Sequence, residues 1–205
     1  ERRQVESRDR ELAELEKAFD NAQAYRLARQ AAGDAPINFD ARWEAMLPYL
    51  AGTKPVIIVA DEVSQIEASI AFAKRRGLKL VLAGASDALK AIDSIRAHQV
   101  PVILEGTHVL PRLADDPIDE PFTRPARLHA QGVVVAIAGS GRHSNARNLP
   151  YQAGMAAAYG LTRDEALASI TLRPAQILGV ADSVGSLEPG KDATLFIASG
   201  DILEV

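Results

Sequence analysis

Apolar and polar residues alternate with more than one period along this chain. Between residues 3 and 32, Leu12, Leu15, Phe19 and Ala22 share one face while Glu and Arg mix on the other, which predicts one long helix ended by Gly33. A shorter helix carrying Trp43 and Met46 is expected from Phe39 to Leu50, capped by Asn38 or Asp40, with Trp43 in the core. Four short aliphatic runs follow: 55–60, 78–83, 100–104 and 133–138. Each is apolar throughout rather than alternating, as parallel strands covered on both faces are. Amphipathic helices are predicted between them at 63–76, 87–98 and 122–131, and another at 149–160. Repeated βα units follow, and from pattern alone an α/β layer with parallel strands.

Composition refines this picture. With 205 residues, 47% hydrophobic and 24% charged, the chain is long enough to bury a substantial core. A net charge of −4 without a richly basic face gives no attraction to nucleic acid or to an anionic membrane. No apolar run approaches the ~20 residues of a spanning helix. The absence of cysteine excludes disulfides, thiolate metal sites and cysteine nucleophiles, and is compatible with a cytoplasmic or an exported bacterial protein. The compartment stays open.

In parallel α/β folds chemistry sits in the loops after the strands, here near residues 59–62, 83–87, 105–108 and 139–145. The candidate pocket-lining residues there are Asp61, Glu62, Asp87, His108, Arg142, His143 and Arg147. Imidazole and carboxylate suit zinc, manganese or iron. These His residues nevertheless lack the i, i+4 or His-x-His spacing that brings two ligands to one ion, and they read as solvated loop residues. Gly139-Ser140-Gly141 is neither a nucleophile elbow nor a phosphate loop; it reads as a turn after a strand. His98 and His129 are expected to be structural, Thr162 to Glu165 to be a capping box, and Asn148 with Pro150 to open a helix. The acidic loop from Glu105 to Phe122 is long enough to suggest a lid or a packing role.

Near the C-terminus, Glu188-Pro189-Gly190-Lys191 is a tight turn leading into an apolar strand at 193–198. The whole stretch from Val184 to Ile197 resembles the C-terminal signature of the amidohydrolase superfamily, and the segments 161–167 and 171–179 resemble the helix pair that precedes it. The resemblance, which extends over residues 20–205, implies the C-terminal half of a TIM-like (β/α)8 barrel: four parallel βα units, barrel strands five to eight, plus a remnant strand of a small β-sandwich. Residues 1–183 would be the partial barrel and 184–205 the sandwich remnant. The start on Glu1 without Met, and the stop just after Gly200 to Leu203, agree with a C-terminal half.

The implied family activity is hydrolysis of a C–N bond in a cyclic amide or similar small molecule, with a divalent metal. The metal ligands do not carry over. In the imidazolonepropionase-like branch strand five ends in a metal-binding His, and the matching residue is Val59. Strand six would end in another His, and 82–87 contain none; strand eight would end in the catalytic Asp, and 138–143 contain no carboxylate. No cofactor is therefore expected in this chain, and a zinc-like metal only in a full-length family context. Three readings stand: an enzyme whose metal is held by N-terminal His residues and unusual partners, a degenerate relative that binds a small molecule without turnover, and a structural role. Two open sheet edges imply pairing as a homodimer or with the missing N-terminal half, unless the long first helix covers the open face in cis.

Overall fold

The computed structural model describes residues 2–33, 38–139 and 143–204, with side chains left out at 2–5 and 143–145. The chain divides into two compact units, Glu1–Lys54 and Pro55–Val205.

The first unit is a helical pair, α1 (Arg2–Ala32) and α2 (Ala41–Leu50). Asp40 caps α2, its carboxylate accepting from the Arg42 N–H at 3.0 Å, and the Arg42 side-chain hydrogen bond holds that carboxyl down at about 2. Tyr25 and Arg29 of α1 both bind the Glu44 carboxylate, and Arg26 donates to the Leu50 carbonyl at 2.7 Å, so polar contacts join the two helices. Trp43 is half-buried under Arg42 rather than enclosed in a core, and Phe39, predicted inside α2, lies before its cap and is exposed.

The second unit is built on four strands: β1 (Val56–Ala60), β2 (Leu80–Gly84), β3 (Val102–Leu104) and β4 (Val135–Ile137). They are parallel and lie in the order β1-β2-β3-β4, with Val56 opposite Leu80, Leu82 opposite Val102 and Val102 opposite Val135. Helices α3 (Val63–Arg76), α4 (Ile92–Ala97) and α5 (Glu120–Ala130) provide the crossovers. Parallel strands are what the βα alternation predicts, and their order is that of the half TIM-like barrel implied by the family resemblance. Only the last turns of the expected 87–98 helix are α-helical; residues 87–91 form tight turns closed by Lys90 N–H to Asp87 O at 2.9 Å.

Alternation along the strands separates two apolar faces. On one, Leu82, Val102 and Leu104 pack with Ile66, Ile95 and Leu128 of the crossover helices. Each such side chain, fully buried, contributes about 1.5–3 kcal/mol. On the other face Val81 and Ala136 meet Ile177 of α8 (Leu172–Leu178). That cover stops short of β1, where Ile57 is 47% and Val59 68% exposed. The expectation that every strand is covered on both faces therefore fails at β1, because the helix that fills the second face reaches only its neighbours.

After β4, a 3-10 turn (His143–Asn148) leads into α6 (Leu149–Ala158), and α7 (Arg163–Ile170) follows. Thr162 caps α7 as expected, accepting from Glu165 N–H at 3.2 Å, whereas the Glu165 carboxylate turns to Arg173. Asn148 stands at the start of α6 without a side-chain cap bond. The expected strand at 193–198 pairs with no other strand among the described residues; Leu195, Phe196 and Ile197 are exposed there. An extended segment has no ladder without a partner to close it. Beyond it, Leu203 returns to the core formed by Ile137, Ala153, Ala156, Leu161 and Ala166.

Candidate functional site

All four strands end on one side of the unit, where the residues after β1 and β2 fold onto each other. Gln65, in the first turn of α3, sends Oε1 back to accept from the Asp61 and Glu62 N–H groups at 2.9 and 3.2 Å. The bend this fixes satisfies donors that a helix start leaves open. At the end of β2 two successive residues, Gly84 (φ 80°) and Ala85 (φ 53°), are left-handed. For Ala85 this costs about 1–2 kcal/mol, and the residue is held there by complete burial and by donation from its N–H to the Ala60 carbonyl at 3.0 Å.

The turn brings Ser86 to Asp61. Asp61 Oδ1 accepts from Ser86 Oγ–H at 2.7 Å and from Ser86 N–H at 3.2 Å. Gly84 makes room for that carboxylate, since a Cβ at residue 84 would lie 2.8 Å from Asp61 Oδ1. The ends of β1 and β2 are thus joined by a carboxylate–hydroxyl lock.

Beside the lock is an ionic group. Asp87 donates its N–H to the Asp61 carbonyl at 2.8 Å, and its nearly buried carboxylate accepts from Lys90 Nζ at 2.9 Å and Arg112 Nη2 at 2.7 Å. Arg112 Nη1 is also 3.7 Å from Glu62 Oε1. Burial pushes the Asp87 carboxyl up, but the Lys90 hydrogen bond and the Arg112 charge outweigh it and hold the group below its ordinary value. At the end of β3, Gln152 of α6 accepts through Oε1 from the N–H groups of Thr107 (2.6 Å) and His108 (2.8 Å), while Thr107 Oγ1–H donates to the Gln152 carbonyl at 2.8 Å. Thr107 is completely buried, so these bonds replace water for groups that have none.

Of the seven sequence candidates, Asp61, Glu62 and Asp87 are therefore brought into one polar cluster. His108 lies at the root of the long loop with its side chain exposed, and Arg147 is exposed on the 3-10 turn. Arg142 and the His143 side chain lie outside the described residues. Ser86, Lys90, Arg112 and Gln152 were not candidates. One signal for Arg112 was available: it is the single Lys or Arg between Glu105 and Asp119, in a loop that also carries Asp115 and Asp116. Among the described residues no group of three or more His, Asp or Glu is placed to hold a metal ion. A groove of about 380 Å3 lined by Leu78, Leu80, Val100 and Ile177 opens at the opposite end, where the strands begin, and none of the candidates lines it.

Comparison with known proteins bears on this geometry. The model of the amidohydrolase family matches residues 125–204, from inside α5 to the returning C-terminal segment. The imidazolonepropionase of Mesorhizobium japonicum is 32% identical over 144 residues, which is 70% of this chain and 34% of that protein. A crystal structure of an amidohydrolase from Thermotoga maritima MSB8 superposes with a TM-score of 0.74 at 25% identity, over 88% of this chain and 48% of that one. A crystal structure of an uncharacterized protein shares the fold, with a TM-score of 0.56 at 19% identity over 75% of this chain and 40% of its own. The chain spans 34% of the curated relative and 48% of the Thermotoga protein. The signature segment, the helix pair before it and the parallel half-barrel agree in making the chain similar to the C-terminal part of amidohydrolase-superfamily proteins.

Proposed function

We propose that this chain is an amidohydrolase-type half-barrel whose strand-end mouth holds a small molecule without metal-dependent hydrolysis of a C–N bond. The observation that carries the proposal is the lock between Asp61 and Ser86 over Gly84. Metal-assisted hydrolysis needs imidazole or carboxylate donors with free lone pairs aimed at one point, and a base beside the bound water. Val59 and Ala83 carry no donor atom, and Asp61 has already given Oδ1 to two donors. Asp87 is neutralised by two cations. These residues do not fit a divalent metal. The relationship to an imidazolonepropionase makes a small cyclic amide or a related heterocycle the ligand class to try first. The purified chain, after exhaustive desalting, is expected to contain far less than one metal ion per chain. A reproducible value near one zinc, iron or manganese by elemental analysis would overturn the proposal.

The same reading assigns residues 184–205 to a sandwich-type extension and gives the sheet a partner in trans. Among the described residues β1 and β4 pair on one side only. Ile57 and Val59 add exposed aliphatic surface beside the β1 edge, where backbone groups invite another strand. A two-fold pair is the commonest closed assembly. Light scattering coupled to size exclusion should give twice the chain mass of 21.9 kDa. A mass of one chain at tens of micromolar protein would exclude the pairing.

A further inference from the structure

We propose that Arg112 is a reversible latch that ties the β3–α5 loop down across the ends of β1 and β2, with Asp87 as its catch and Lys90 as the group that lets it open. Among the described residues, the backbone of this loop beyond His108 bonds within the loop or to α5's first turn: Val109 N–H to Thr107 O, Asp116 N–H to Leu113 O, and Glu120 N–H to Pro117 O. Leu110 and Ile118 are largely exposed and anchor nothing. The Arg112 side chain, in contrast, crosses to the turn after β2 and to the start of α3. A segment with so few fixed contacts opens at a free energy far below that of global unfolding.

The placement of Lys90 makes opening reversible. Withdrawing Arg112 from a nearly buried carboxylate would ordinarily strand an unpaired charge, which is the costly part of breaking such a pair. Here Lys90 Nζ stays 2.9 Å from Asp87 Oδ1, so the charge keeps a partner while Arg112 leaves. Glu62, 3.7 Å from Arg112 Nη1, offers the departing guanidinium a second, exposed partner. The root of the loop does not move with it, because Thr107 and His108 are bound to Gln152.

Two substitutions should then act in opposite directions. Arg112→Ala removes the latch, and amide hydrogen exchange in residues 109–118 is expected to quicken about tenfold. Lys90 also attracts Asp116 of the loop, so Lys90→Ala is compared in an Asp116→Asn background; there it leaves Asp87 without its fallback, opening becomes harder and exchange in the same residues is expected to slow by about threefold. Asp87→Asn, which keeps the shape and loses the charge, should reproduce Arg112→Ala. The Thr107 and His108 amides serve as the internal standard and should keep their protection in all three variants. Faster exchange in Lys90→Ala in the Asp116→Asn background would overturn the latch and leave a static ion cluster. So would unchanged exchange in Arg112→Ala, or loss of protection at Thr107 and His108 together with the loop. None of these readouts depends on metal content, so the latch and the proposed function fail separately.

Discussion

Gly154→Ala is expected to destabilise the second unit by about 1–3 kcal/mol, although Ala is a better helix former than Gly by about 1 kcal/mol. The reason is a backbone contact that leaves no space for a methyl group. A Cβ at residue 154 would overlap the Leu203 carbonyl oxygen and approach the Leu203 carbonyl carbon to 3.2 Å. Relief requires the C-terminal segment to lift from α6, and this withdraws Leu203, now 8% exposed, from the core of Ile137, Ala153, Ala156, Leu161 and Ala166. It also pulls Asp201 from Arg163. The loss cannot exceed what docking of that segment contributes, which sets the upper end of the range. Repeating Gly154→Ala in a Leu203→Ala background, where the segment is already loosened, should cost much less or stabilise by the helix-propensity difference. Urea unfolding followed by circular dichroism measures both arms of this cycle. Equal costs in both backgrounds would show that Leu203 is not what Gly154 accommodates.

That contact also shows where sequence reading runs out. The four strands and their crossovers are legible because each is a local signal: an aliphatic run at 55–60 or 78–83, then a 3.6-residue period ended by a residue such as Gly77. Their parallel order follows from helices too long to be hairpin turns. Docking of Leu203 on Gly154 joins residues 49 positions apart through a missing side chain, and a missing side chain leaves no period. The same holds for Val59. Its run is as aliphatic as those of the buried strands, and its exposure depends on how far α8 extends across the opposite face. At the candidate site, the placement of Asp61, Glu62 and Asp87 after the strands is legible because each follows a strand-like run. Gln152 was missed because it reaches Thr107 from α6, and Arg112 because a lone cation in an acidic loop reads as solvated until its partner is known. The strand expected at 193–198 had the residue types of a strand, but pairing decides whether such a segment forms one.

Gly84→Ala is expected to cost about 2–4 kcal/mol, the sum of a backbone term and a side-chain term that can be separated. The backbone term arises because residue 84 has φ 80°, a conformation that an L side chain adopts at a cost of about 1–2 kcal/mol. The side-chain term arises because the new Cβ would stand 2.8 Å from Asp61 Oδ1. A carboxylate on a free side chain would swing away, but Asp61 is held by Ser86 Oγ–H and N–H, so moving it forfeits both bonds at roughly 1 kcal/mol each. In an Asp61→Ala background those bonds are already gone, and Gly84→Ala should then show the backbone term alone. The coupling between the two sites is therefore expected at about 1–2 kcal/mol, read from the same urea-unfolding cycle. Full additivity would mean that Asp61 does not occupy the space over Gly84, and the lock would lose its support. The cycle also bears on building a metal site. A His at residue 84 would meet the same φ and the same carboxylate, so imidazole is not placed there by one substitution. Gly84→His alone should lower stability by at least as much as Gly84→Ala and bind no zinc. Zinc retained by that single variant after desalting would show that the strand ends still converge on a metal position, contrary to the arrangement of Asp61, Ser86 and Gly84.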